Sequence, residues 1–140
     1  MKKKNEYDAL ELVEARKNQQ DPWVMYLVVR KSLNMSPGKT AAQVGHAVQI
    51  MSDAYYKLKS EAFVSSKISQ YVLWKEQSYR KVVLVATENQ WTKLLNELEC
   101  YVVTDAGLTE LEPGTDTVIG LWPMKRSIRP KIISKLQVLK

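Results

Sequence analysis

Cysteine and histidine each occur only once in the 140 residues, as Cys100 and His46. A single cysteine cannot form a disulfide within the chain, which is typical of a reducing compartment. One cysteine and one histidine are a poor ligand set for a metal, and a single histidine leaves little scope for a Ser-His-Asp triad. We therefore expect no metal and no cofactor, and we interpret Cys100 as a small apolar residue beside a strand.

Long apolar runs are also missing. No run approaches the ~20 residues that cross a bilayer, and Met1-Lys2-Lys3-Lys4 leads into polar residues rather than the apolar core of a signal peptide. We expect a cytoplasmic protein with no membrane partner. A hydrophobic content of 45% in a chain of this length supports one globular domain.

Acidic residues are outnumbered by basic ones, which gives a net charge of +6. A positive charge favours a polyanionic partner through counterion release, although many basic proteins bind no nucleic acid. Five cations near the C-terminus could form a phosphate-binding surface on which Trp122 stacks, or simply a solvated basic face: Lys125, Arg126, Arg129, Lys131 and Lys135.

Apolar periodicity predicts alternating strands and helices, and so an α/β layered domain over residues 22–140. The run at 23–29 is apolar throughout and predicts a central strand buried on both faces. The other predicted elements are helices from residue 37 and over 66–74, 88–99 and 127–136 (the last interrupted near Pro130), strands at 81–86, 101–103 and 117–122, and a loop at 104–116. Residues 1–21 are predicted to form an N-terminal extension with a polar helix over 5–18.

A helix should begin at Ser36, a good N-cap, with Pro37 in its first turn. Lys39 then opposes the positive end of the helix dipole, so we expect it to be exposed and ready to meet an anion. Helical spacing places Gln43 and His46 on the same face as Lys39 and predicts a packed face opposite, formed by Ala41, Val44, Val48, Met51 and Tyr55. Taken singly, each polar residue could merely be solvated or structural. A phosphate-binding loop is excluded because Leu33 stands where that motif needs glycine.

Two signatures together resemble type 2 peptidyl-tRNA hydrolases, over about residue 23 to the C-terminus. The first consists of Leu27-Val28-Val29-Arg30, Leu33, Met35, Gly38-Lys39, Ala41-Ala42-Gln43 and His46-Ala47. The second consists of Asp105-Ala106-Gly107-Leu108-Thr109, Gly114-Thr115-Asp116-Thr117-Val118 and Pro123. The resemblance implies a single-domain three-layer fold, with a small mixed sheet of about four strands and helices on both faces.

The resemblance also implies a reaction, the hydrolysis of the ester that joins a peptide to the ribose of tRNA. The catalytic positions it implies are Lys39, Gln43, Asp105, Thr109 and Thr117. We expect Lys39 to stabilise negative charge, Asp105 to orient water or a neighbouring group, and the others to hold substrate and water. To substrate binding we assign His46, Gly114, Thr115, Arg126 and Arg129, with tRNA as the partner. The two signatures would meet at one sheet edge if their strands were parallel neighbours.

Two departures from the family pattern concern glycine. Residues 75–80 lack the glycine expected after Trp74, and residues 95–104 lack the one that commonly precedes the strand. Two other functions stay open at this point. The chain could be a non-catalytic RNA-binding protein that kept the fold, or a structural module that forms a homodimer through its N-terminal helix.

Overall fold

The computed structural model describes residues 20–61, 65–107 and 110–140. The predicted helix at 5–18 and Thr109 lie outside these ranges. The strands are β1 (Trp23–Arg30), β2 (Lys81–Ala86), β3 (Tyr101–Thr104), β4 (Asp116–Gly120), β5 (Met124–Lys125) and β6 (Gln137–Val138). The helices are α1 (Pro37–Ser60), α2 (Ser66–Glu76), α3 (Glu88–Glu97) and α4 (Lys131–Ser134), with 3-10 turns at Lys31–Leu33 and Arg126–Ile128.

The strands form one mixed sheet in the order β3-β4-β1-β2-β6, and β5 pairs with the beginning of β1. Strand β1 lies at the centre, as its apolar sequence predicts, and its six inner residues are all buried. It runs parallel to β2 and antiparallel to β4. The predicted α/β fold is confirmed, with six strands rather than about four because β5 and β6 add two residues each.

Strands β1 and β3 are not direct neighbours, so the condition under which we expected the two signatures to meet does not hold as stated. Strand β4 lies between them and is antiparallel to both, so β1 and β3 point the same way. Their carboxyl ends therefore still lie at one edge of the sheet. Lys39 follows β1 in the first turn of α1, and Asp105 lies in the loop after β3.

Helices cover both faces of the sheet. Met25, Leu27 and Val29 of β1 pack with α1 and α2, whereas the alternate residues of β1 pack with α3 and α4. Gly120 lets α1 approach the sheet closely, because a Cβ atom at this position would lie 2.5 Å from Cε of Met51. No helix in the described ranges is both long and apolar enough to span a bilayer.

The predicted packed face of α1 is confirmed for Met51 and Tyr55, which are buried, and for Val44 and Val48, which pack against the core, and it is wrong for Ala41. The residues that α1 buries are Gln43, Ala47, Met51 and Tyr55, which recur every four positions, while Ala41 and His46 are exposed. Gln43 therefore belongs to the packed stripe rather than to a polar face opposite it. Gln43 is the first residue of the stripe and lies where α1 reaches the edge of the sheet.

The turn between α2 and β2 adopts a conformation that favours glycine without containing one. Ser78 and Tyr79 both have positive φ, 72° and 58°. A left-handed conformation costs about 1–2 kcal/mol for a residue with a Cβ atom. The Tyr79 ring packs edge-on against Trp74, at 5.5 Å between centroids, which helps to hold the turn. The turn before β3 has no positive φ among its residues, so it requires no glycine.

Candidate active site

The first turn of α1 forms one wall of a site at the carboxyl edge of β1 and β3. Ser36 is the N-cap, as predicted, and its Oγ accepts a hydrogen bond of 3.2 Å from the Lys39 backbone N–H. Pro37 follows in the first helical position. Local sequence therefore sets where α1 begins and on which turn Lys39 lies.

The opposite wall is the loop after β3, in which main-chain hydrogen bonds join Asp105 to Gly114 and Thr115. The backbone N–H of Asp105 donates to the Thr115 carbonyl at 2.8 Å, and its carbonyl accepts from the Gly114 N–H at 2.9 Å. Gly107 has a φ of +76°, and a Cβ atom there would lie 2.5 Å from the Pro113 ring. Gly114 and Thr115, which we assigned to substrate binding, thus fix the backbone of Asp105 by main-chain bonds.

The Asp105 carboxylate is the centre of the site. Its Oδ1 accepts from Lys39 Nζ at 2.6 Å and from Gln43 Nε2 at 3.2 Å, and its Oδ2 accepts from the Gly107 N–H at 2.8 Å. The side chains of Lys39 and Asp105 are only 10% and 4% exposed. The prediction of an exposed Lys39 is therefore wrong. The anion that the Lys39 ammonium group binds is the Asp105 carboxylate of the same chain.

These contacts determine the charge of Asp105. The hydrogen bond from Lys39 and, next, the bond from the Gly107 N–H hold the pKa of the Asp105 carboxyl below its usual range, against the opposing effect of burial. Asp105 is therefore an anion at neutral pH. A carboxylate with a low pKa accepts a proton poorly, so the arrangement suits orientation and charge balance better than proton abstraction.

Gln43 and Thr117 continue the network into the core. A carboxylate only accepts hydrogen bonds, so the Gln43 amide must turn its NH2 group toward Asp105 and its oxygen toward Thr117. The Thr117 hydroxyl donates to that oxygen at 2.5 Å, and both side chains are buried. The hydroxyl of a strand residue thus fixes the orientation of the amide that holds Asp105.

A cavity of about 510 Å³ opens over this network. Lys39, Gln43 and Asp105 line it, and small residues such as Gly38, Ala42 and Ala106 leave room above them. His46 also lines the cavity, and its assignment to substrate binding stays a prediction. A larger cavity of about 640 Å³ beyond Met35 and Thr40 contains none of the predicted site residues.

Sequence reasoning missed Glu110, which also lines the cavity. Its carboxylate accepts from the Ser36 hydroxyl at 2.7 Å and from the Ser36 N–H at 3.1 Å. Both bonds lower the pKa of Glu110. The sequence did contain a signal for this contact, because an acidic residue lies within the span of the second signature and a helix N-terminus lies in the first. Carboxylates bind favourably at helix N-termini.

The structure does not bring Arg126 and Arg129 to this site. They line a cleft with Arg80 on the face of the sheet that packs α3 and α4. The Arg126 N–H donates to Pro22, just before β1, so the backbone of Arg126 lies roughly 23 Å from the carboxyl end of that strand. The predicted stacking role of Trp122 is wrong, because its ring is buried against Tyr71 and its indole N–H donates to the Lys67 carbonyl.

Removing the Thr117 hydroxyl should disturb the site through Gln43. In Thr117→Val the buried amide oxygen of Gln43 loses its donor, so we expect the free energy of unfolding to fall by about 1–3 kcal/mol. Turnover should fall about tenfold because the Gln43 amide is no longer fixed toward Asp105. Denaturant unfolding and single-turnover kinetics measure the two effects.

The double variant Thr117→Val/Gln43→Met is the control, because it removes both members of the bond and leaves no unpaired oxygen. It should recover stability without recovering turnover. If it recovered both, the role of Gln43 in the site would be contradicted.

Comparison with known proteins gives a consistent result. The family model described as peptidyl-tRNA hydrolase PTH2 matches residues 23–139. The chain is 34% identical over 122 residues to a peptidyl-tRNA hydrolase of Methanopyrus kandleri, covering 81% of this chain and 96% of the relative. A protein of the same name from Methanocaldococcus jannaschii is 34% identical over 122 residues, covering 82% of this chain and 98% of the relative.

Proposed function

The chain belongs to the peptidyl-tRNA hydrolase PTH2 family, and we propose that its site hydrolyses the ester joining a peptide to the ribose of tRNA. Water adds to the ester carbonyl and the bond to the ribose oxygen breaks; one proton of the water passes to the ribose oxygen, the other passes to solvent, and the peptide leaves as a carboxylate and the tRNA with a free hydroxyl. The observation that carries the proposal is the buried pair of Lys39 and Asp105, 2.6 Å apart, which lines a cavity.

Lys39 stabilises the oxyanion that develops on the ester carbonyl. Its ammonium group is largely removed from solvent, where a charge acts more strongly on a nearby charge than it does in water. Asp105 aims this group, because a 2.6 Å bond joins its carboxylate to Nζ. Lys39 is thus in place before the substrate arrives.

Asp105 also orients the attacking water. A carboxylate offers about four acceptor positions, and Lys39, Gln43 and Gly107 occupy three of them. The fourth, on Oδ2, receives the water in our proposal. Thr117 acts through Gln43, and Thr109 and His46 hold the substrate. Gly114 and Thr115 contribute by fixing the loop backbone.

The test of this function is the hydrolysis of an N-blocked aminoacyl-tRNA. We expect release of the blocked amino acid well above the rate in buffer. Absence of cleavage with intact tRNA binding would instead support the non-catalytic RNA-binding alternative, which the comparisons do not support.

Filling the cavity should block the substrate. Ala42 lines the cavity and is exposed on α1, so Ala42→Phe costs little folding energy. We expect kcat/KM to fall about tenfold or more, equivalent to at least ~1.4 kcal/mol of transition-state binding. The matched control is Ala41→Phe, at the neighbouring exposed position that does not line the cavity. Equal losses of kcat/KM in the two variants would show that the ester binds outside this cavity.

We propose that Arg126 and Arg129 contact phosphates of tRNA far from the ester. Replacing both by alanine should weaken tRNA binding and reduce its salt dependence by about one unit of slope for each phosphate that is no longer neutralised. Turnover at saturating substrate should not change, since Arg126 lies beside Pro22 at the amino end of β1, away from the cavity. Lys93→Ala, which removes an exposed cation of α3, is the control. An unchanged slope would place the RNA surface elsewhere.

A cytoplasmic location, a homodimer and a separate role for residues 1–21 stay proposals. The basis for the first is the translation-related family. The molecular mass of the full chain in solution tests the second, and deletion of residues 1–20 tests whether this segment mediates association.

A further inference from the structure

The Glu110 carboxylate binds both polar groups that Ser36 can offer as donors. One oxygen accepts from the hydroxyl at 2.7 Å and the other from the backbone N–H at 3.1 Å. Two bonds to one residue fix the orientation of the carboxylate. They also lower the pKa of Glu110, so the contact persists in its ionised form at neutral pH.

The Ser36 Oγ atom connects this contact to the backbone of Lys39. The Ser36 Oγ that donates to Glu110 also accepts from the Lys39 N–H at 3.2 Å. A hydroxyl has one hydrogen and two lone pairs, so donation to Glu110 directs a lone pair toward the helix. Without Glu110 the hydroxyl can rotate, and the first turn of α1 loses this restraint.

Glu110 and Asp105 belong to the same loop, which therefore contacts the start of α1 twice. The first contact joins Asp105 to Lys39 and Gln43, inside the cavity. The second joins Glu110 to Ser36. During the reaction Lys39 must share its charge with the oxyanion, which weakens the first contact. The second contact involves neither reacting group and can hold helix and loop in place throughout.

We infer that Glu110 is a positioning residue that fastens the Asp105 loop to the N-cap of α1 and so keeps Lys39 and Asp105 aligned during turnover. This inference rests on the proposed function. It also explains how a lysine is tolerated in the first turn of α1, because two carboxylates of the chain, Asp105 and Glu110, lie beside it.

The test compares Glu110→Ala with Glu110→Gln in the full chain, using an N-blocked aminoacyl-tRNA. We expect Glu110→Ala to lower kcat about tenfold to a hundredfold with little change in KM, because misplacing a catalytic group by about 1 Å costs this much. Glu110→Gln should keep kcat within about threefold, since its amide oxygen can accept from the Ser36 N–H while its NH2 group donates to the Ser36 hydroxyl, which can accept as well as donate. The control is Glu112→Ala, an exposed carboxylate of the same loop.

Added formate gives a second measurement. If Glu110 acts only through its carboxylate at Ser36, formate can occupy the space that Glu110→Ala leaves and restore part of kcat. It should not restore kcat in Lys39→Met. Ser36→Ala removes the same link from the other side, and combining it with Glu110→Ala should lower kcat no further than the worse single variant.

Three results would overturn the inference while the function stands. One is an unchanged kcat in Glu110→Ala, and another is a loss that appears in KM alone, which would make Glu110 a substrate contact. The third is an equal loss in Glu110→Gln and Glu110→Ala without rescue by formate. A wild-type chain that cleaves no ester would instead contradict the proposed function itself.

Discussion

Lys39→Met is expected to lower turnover about a hundredfold to a thousandfold, the typical effect of losing one donor to a developing oxyanion. Methionine keeps the length of the aliphatic stem and most of the helix propensity, so the variant removes chiefly the charge. Single-turnover hydrolysis of an N-blocked aminoacyl-tRNA measures the loss. A fall below about fivefold would show that Lys39 does not act on the transition state.

The same variant should also lower the melting temperature. From the sequence we expected an exposed lysine whose removal would scarcely affect stability, but the structure buries Lys39 against Asp105. Without Lys39 the Asp105 carboxylate keeps Gln43 and Gly107 as donors and loses the partner that most lowers its pKa. The pKa of Asp105 should therefore rise in Lys39→Met, which NMR titration can detect.

Asp105→Asn is expected to reduce turnover at least about a hundredfold, although it has almost the same shape. Three donors converge on the carboxylate, two on Oδ1 and one on Oδ2. An amide has acceptor capacity on only one of its two ends, so its NH2 group must face at least one of these donors. Lys39 or the Gly107 loop then shifts. Asp105→Ala, which removes all three bonds, should be no more active.

The double variant Lys39→Met/Asp105→Asn separates catalysis from stability. Its turnover should be little worse than that of the poorer single variant, because residues that act as a unit are strongly non-additive. Its melting temperature should exceed the value obtained by summing the two single losses, because a neutral pair replaces a buried charge that has lost its partner. Losses of turnover that multiply would show independent roles. Stability losses that match the activity losses would return both residues to a structural role.

The sequence predicted those parts of the structure that depend on residues close together in the chain. The apolar run of β1 predicted the central strand, and Ser36 with Pro37 predicted the start of α1. The helix predicted from residue 88 begins after Thr87, which forms a capping box with Gln90 in which both reciprocal bonds are present. In each case the residues that determine the structure lie within a few positions of one another.

The errors concern contacts between distant parts of the chain. The burial of Lys39 depends on Asp105, which lies 66 positions away, and Glu110 meets Ser36 across 74 positions. Strand β6 has only two residues, too few for any periodicity to reveal it. The place of β4 between β1 and β3 follows from hydrogen bonding across the sheet, which no pattern within a single strand records.

The position of Gln43 in the buried stripe of α1 has a consequence for cooperativity. The row of side chains that packs the helix on the sheet ends in the residue that binds Asp105, with no flexible hinge between them. Gln43 therefore cannot leave the site while the interface beneath it stays intact. Heating should abolish activity and native packing in one transition, so residual activity reports the folded fraction of this chain.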